Sequence, residues 1–260
     1  MLIPFIKMHA QGNDFVILDG FESAQTDLVK LAIEVCKPHF GIGADGLVLI
    51  KPSAGYDGRM VIYNSDGSTA EMCGSALRCV THLLFQKTGK TEMLIETESG
   101  VKKGKITGNG ETVEVNIGRA ISVEDNISVE GQAGSLIDVG NLHYVVYAND
   151  LSDDPHLKYG WAIEHNPHFP KTVNVQYTQK INEDRIVLKI WENACGPTLA
   201  CGTGACSAVA VGRKHYGLSD TVTVQMPGGE VVIKYDSIDD SYWLCGGVKE
   251  AFRGEYLWKI

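Results

Sequence analysis

Cys73-Gly74-Ser75-Ala76-Leu77-Arg78 is the stretch that decides the fold, because its opening returns 128 residues later as Cys201-Gly202-Thr203-Gly204-Ala205-Cys206. The same offset carries Gly12-Asn13 onto Gly140-Asn141, Gly100 onto Gly228 and Gly118 onto Gly246. A chain with 29 glycines offers single glycine matches by chance. A cysteine-glycine-hydroxyl tripeptide and a Gly-Asn dipeptide in one register point instead to a duplicated domain. The expectation is two similar domains related by a pseudo-twofold axis, 1-118 (with 248-260) and 119-247, with equivalent helix starts meeting at the interface. Clefts between domains are preferred ligand sites.

Short runs rich in Val, Ile and Tyr recur along both halves: 16–18, 46–50, 60–63, 113–117, 144–147, 186–190, 222–224 and 231–234. Gly, Asn and Asp punctuate them, which reads as strands joined by tight turns. Helical periodicity appears in fewer places, chiefly 27–36, 75–86 and 203–216. The fold class is therefore α+β, with more strand than helix.

Bulk properties narrow the function. Apolar residues make up 44% of the chain, enough for a substantial core, and the net charge of -9 argues against the basic face a nucleic-acid partner requires. The first 19 residues contain a short apolar stretch broken by Lys7, His9 and Asp14, unlike a signal peptide or a membrane span. Seven cysteines, an odd number, fit a reducing compartment better than a disulfide scaffold. With no C-x-x-C pair, no structural zinc site is expected. A cytoplasmic protein acting on a small molecule, without nucleic acid or membrane and as a homodimer, is the resulting expectation.

Each repeated cysteine precedes a helical pattern, with Ser75 and Thr203 placed as N-cap candidates and the glycines allowing backbone amides to approach a ligand. Helix N-termini bind carboxylates and lower the pKa of nearby thiols. Amides aimed at an amino acid's carboxylate would stabilise the enediolate-like transition state of α-proton removal without a cofactor or metal. Inversion of that carbon needs a base on one face and an acid on the other, which Cys73 and Cys201 would supply from equivalent halves. The other five cysteines, at 36, 79, 195, 206 and 245, read as small buried hydrophobes. Redox exchange lacks its usual C-x-x-C spacing.

At this point the chain resembles the diaminopimelate epimerase family. Asn64 to Gly74, closed by Arg78-Cys79, is similar to its first catalytic signature, and Gly196 to Ala205 to its second. Lys7-Met8-His9 with Gly12-Asn13-Asp14-Phe15 resembles the family's first strand and turn, Gly140-Asn141 its Gly-Asn-Pro-His motif, and Val173-Asn174-Val175 its central-strand motif. The resemblance implies two domains, each a barrel-like sheet around a central helix, with the C-terminal strand returning to the first. It also implies a thiol pair and no cofactor. By the same resemblance, Asn13, Asn64, Asn141 and Asn174 hold the substrate's distal end, while Gly74, Ser75, Gly202 and Thr203 cradle the reacting carboxylate.

Three departures bear on the substrate. Where the family reads Glu-Arg-Gly, its arginine clamping a distal carboxylate, this chain reads Glu192-Asn193-Ala194, and asparagine cannot form the bidentate charged contact. Gly-Asn-Pro-His becomes Gly140-Asn141-Leu142-His143, and Ser75 replaces an expected asparagine. Histidine racemases related to the family are similar to this chain in carrying Glu-Asn. Racemisation of an amino acid lacking a distal carboxylate, such as histidine, is the expected function, with diaminopimelate epimerisation as the alternative. Glu192 is placed either against a ligand cation or as a hydrogen-bond partner behind the pocket, and His143 either in the pocket, the favoured reading, or as a satisfied buried histidine. Phenazine-biosynthesis-like relatives lack the thiol pair, and a non-catalytic amino-acid binder would need neither thiol.

Overall fold

The computed structural model describes residues 1–21, 26–110 and 112–259. The chain separates into two units, Met1–Val115 with Gly247–Ile260, and Asn116–Gly246. The first contains β1 (Leu2–Ala10), β2 (Asn13–Asp19), α1 (Leu28–Cys36), β3 (Gly46–Lys51), β4 (Gly58–Asn64), β5 (Thr69–Ala70), α2 (Gly74–Thr88), β6 (Glu92–Thr97) and β7 (Gly100–Thr107). β8 (Thr112–Gly118) runs across the boundary. The second contains β9 (Ile121–Val129), β10 (Gln132–Asp138), β11 (Leu142–Tyr147), α3 (Pro155–Glu164), β12 (Asn174–Asn182), β13 (Arg185–Glu192), β14 (Gly196–Pro197), α4 (Gly202–His215), β15 (Thr221–Met226), β16 (Gly229–Asp236) and β17 (Ser241–Gly246). β18 (Lys249–Leu257) returns to the first unit. The fold is α+β.

Both units use one strand plan. In the first, β18, β1, β2, β3, β4, β6, β7 and β8 pair in that order, antiparallel except for the parallel steps β2–β3 and β4–β6. In the second, β9, β10, β11, β12, β13, β15, β16 and β17 pair likewise, with parallel steps at β11–β12 and β13–β15. The offset of 128 carries β2 onto 141–147, β3 onto 174–179, β4 onto 186–192 and α2 onto 202–216, each within a residue or a few of the observed element.

Local chemistry accounts for the elements around the site. Only Gln11 and Gly12 separate the paired residues Ala10 and Asn13, and both have positive φ, 51° and 85°, as a primed two-residue hairpin turn requires. Asp27 caps α1 by accepting from the Lys30 amide at 3.1 Å, and the helix buries Leu31, Ala32, Val35 and Cys36. That face packs on Val16, Leu18, Leu47 and Leu49, while the alternate strand residues Ile17 and Val48 are buried too. A strand buried on both faces must be covered on both, and α2 supplies the second cover. Residues 74–81, Leu83 and Leu84 of α2 are all buried, and the helix packs on β1, β2, β4 and β7. α4, buried over 204–209 with Val211 and Gly212, packs on β10–β13, β16 and β17. Each unit thus holds one interior helix, and that helix begins at a repeated cysteine. Among the described residues no helix is long and apolar enough to cross a membrane.

Candidate active site

Cys73 and Cys201 are themselves the N-cap residues of α2 and α4, both extended, with φ of -142° and -135°. This corrects the expectation for Ser75 and Thr203, which lie inside the first turns, Ser75 buried. The reason is that Gly74 and Gly202 already take helical geometry, moving each cap one or two residues earlier. Neither thiol makes a side-chain capping hydrogen bond at its helix start.

In the first unit, half-buried Cys73 donates through Sγ to Asn13 Oδ1 at 3.6 Å. Asn13 Nδ2 donates to Asp45 Oδ2 at 2.7 Å. Asn64 ends β4 and donates from Nδ2 to Ser68 Oγ at 2.9 Å. Asp45 was not anticipated, although an acid closing the glycine-rich run Gly41 to Gly46, just before a buried strand, is a readable signal.

The second unit is more deeply wired. Buried Cys201 lies 3.6 Å from Thr203 Oγ1, and the Glu192 carboxylate accepts from Thr198 Oγ1 at 2.5 Å. Burial, and after it Glu192, pushes the Cys201 thiol well above its ordinary value, with Thr203 and the Gly204 amide pulling the other way. Here burial outweighs the helix N-terminus expected to lower it. Glu192 thus acts electrostatically on the Cys201 thiol. Asn174 is committed on both ends of its carboxamide, donating to Leu142 O at 3.0 Å and accepting from the Asn193 amide at 3.1 Å. Asn193 itself is exposed.

His143 is fully buried, its Nδ1 2.9 Å from Gln176 Oε1 and its Nε2 3.1 Å from exposed Asn141 Oδ1. It orients Asn141 from within the interior. Gln176 was missed, yet Asn174, Gln176 and Thr178 are buried polar residues at every second position of β12, which a period-two reading exposes. Burial is the largest cause holding the His143 pKa down, to about 4. The folded chain resists its proton until about that pH, whereas an unfolded histidine takes it near 6.5. Stability is therefore full above about pH 6.5 and drains as the pH falls toward 4, by roughly 3 kcal/mol. Urea unfolding at pH 7 and pH 5 should show the loss, and a His143→Gln variant should lose less between those two points.

Glu164, on α3, was also missed. It is buried and accepts from Trp191 Nε1 at 2.7 Å and from the Ala194 amide at 2.8 Å, fixing the 192–194 turn in which Ala194 has φ of 60°. Of the five cysteines read as buried hydrophobes, 36, 79, 206 and 245 are buried, whereas Cys195 is exposed because it follows that turn.

Solved structures share this architecture. A phenazine-biosynthesis PhzF-family protein of Bacillus anthracis matches with a TM-score of 0.77 at 13% identity, over 99% of both chains. A hydroxyproline epimerase of Agrobacterium vitis matches with a TM-score of 0.71 at 14% identity, over 98% of this chain and 92% of its own. At such identities the likeness is one of fold, the fold of two-unit racemases, epimerases and their kin. In sequence, the profile described as diaminopimelate epimerase matches residues 5–123 and 135–248. Proteins named diaminopimelate epimerase from Halothermothrix orenii and Desulforudis audaxviator are 36% and 38% identical, over 99% and 98% of this chain and 99% of each relative. The chain belongs to the diaminopimelate epimerase family, and it is an isomerase of the pyridoxal-phosphate-independent racemase and epimerase class.

Proposed function

We propose that this protein inverts the α-carbon of diaminopimelate by passing the α-proton between Cys73 and Cys201. The observation that carries the reading is the placement of both thiols at the N-caps of the two equivalent interior helices. One thiolate takes the α-proton while the other thiol delivers its own to the opposite face, and the reverse reaction exchanges the roles. First-turn amides following Gly74 and Gly202, with Ser75 and Thr203, hold the carboxylate and stabilise the charge it gains. Glu192, beside Cys201, takes up and returns that thiol's proton. Asn13, Asn64 and Asn141 face the substrate, with Asn174 and His143 holding their neighbours in place. The relatives' names support diaminopimelate. Two reactive thiols suit a reducing cytoplasm, and a homodimer is the assembly this reading adopts.

One observation favours a second substrate: Asn193 stands where the family carries an arginine, so a distal carboxylate lacks its bidentate partner. The second reading is racemisation of an amino acid without that group, histidine first. Incubation in deuterated water with diaminopimelate stereoisomers and a panel of L-amino acids, following α-deuterium by mass spectrometry, separates the two. Exchange into diaminopimelate is expected; exchange into histidine with none into diaminopimelate would replace the first reading by the second.

A further inference from the structure

The turn that presents Asn13 fixes more than a binding residue. Asp45 Oδ2 accepts two donors, Asn13 Nδ2 at 2.7 Å and the Asp14 backbone amide at 3.0 Å, while the Asp45 amide donates back to Asp14 Oδ1 at 3.0 Å. An ionised carboxylate oxygen can only accept, and the Asp14 amide holds this one in place. Toward the carboxylate Asn13 offers its NH2 end, and its carbonyl end is turned onto Cys73 Sγ, 3.6 Å away. A carbonyl oxygen accepts from a thiol and repels a thiolate.

We propose that Asp45 is a positioning residue for Cys73: by holding the Asn13 amide nitrogen it aims the Asn13 carbonyl at the sulfur and keeps that thiol protonated in the resting enzyme. The proposal rests on the two-thiol reading, in which it makes Cys73 the proton donor that is ready before substrate arrives. The titratable and charged groups around this corner are Lys7, paired with Asp14 across β1 and β2, Asp45 itself, His9, whose Nδ1 accepts from the Gly12 amide, and Arg78 and Cys79 on α2. Lys7 is tied further to the Gly43 carbonyl. Removing the Asp45 carboxylate thus changes both a charge and an orientation, and the two must be separated.

The test is the pH profile of Cys73 alkylation by iodoacetamide, read at the Cys73 peptide by mass spectrometry. Asp45→Ala frees the Asn13 amide to turn its NH2 toward the sulfur. The alkylation midpoint should fall by about one pH unit, so that Cys73 reacts about tenfold faster near neutrality. Asp45→Asn removes the charge but keeps an acceptor oxygen in place, and should stay close to the wild-type profile. Asn13→Ala, which deletes the carbonyl directly, should lower the midpoint as well and carries the test if Asp45→Ala does not fold. An unshifted midpoint in Asp45→Ala, or an equal shift in Asp45→Asn, overturns the proposal. Alkylation reports on Cys73 whether or not it transfers a proton. A Cys73→Ala variant with full turnover would therefore overturn the two-thiol reading and leave the Asp45 result standing.

Discussion

Replacing Cys201 by alanine should abolish net inversion, lowering kcat at least about a thousandfold, and Cys73→Ala should do the same. Each variant loses one of the two groups that the proposed reaction places on opposite faces of the α-carbon. The remaining thiol can still remove a proton from the stereoisomer it faces. Each variant should therefore retain exchange of α-hydrogen with solvent in one stereoisomer while giving none of the other. Chiral chromatography together with mass measurement of the recovered substrate reads both effects. A variant that inverts at the wild-type rate removes its cysteine from the reaction.

The second large effect lies away from the thiols. A Cβ added at Gly160 would stand 2.5 Å from the Trp191 ring, closer than any real contact, and both partners sit in regular elements with little room to yield. Gly160→Ala should destabilise the protein by about 3 kcal/mol and lower its melting temperature by about 5 to 10 °C. The cost reaches function because Trp191 and the Ala194 amide are both held by Glu164. Moving the ring releases the turn carrying Glu192 and Asn193, so kcat should fall with stability. Calorimetry and steady-state kinetics on the one variant check the pair of effects. Unaltered melting would mean that α3 does not pack on β13 as described.

Much of this was legible in the sequence. Each Val- and Ile-rich run became a strand, because those strands are buried on alternate or both faces and carry the pattern openly. β6, β7, β9, β10 and β17 lie outside those runs; β9 is largely exposed, so burial imposed no apolar period on it, whereas the C-terminal strand β18 was expected from the resemblance. α3 was missed for the opposite reason. It buries His156, Gly160 and Glu164 and exposes Leu157 and Trp161, which erases the amphipathic stripe. The offset of 128 would have found it, since α1 displaced by that amount falls on 156–164.

The site divides in the same way. The paired cysteines were visible because chemistry and duplication mark the same positions. Asp45, Gln176 and Glu164 act through partners distant in sequence, by 32, 33 and 30 residues in their hydrogen bonds to Asn13, His143 and Ala194, and no local pattern announces such contacts. The residues that do announce themselves reach the substrate or the sulfur; those that hold them in place emerge only with the fold.

The central claim, proton transfer between two thiols, is tested most directly by the first turnovers in deuterated water. With one pure stereoisomer as substrate, the inverted product should carry deuterium at the α-carbon from the outset, while unreacted substrate keeps its protium, because the donor thiol has exchanged with solvent and the acceptor thiol retains what it removed. Product formed with the substrate's own protium would mean that a single group removes and returns the proton, and would contradict the account.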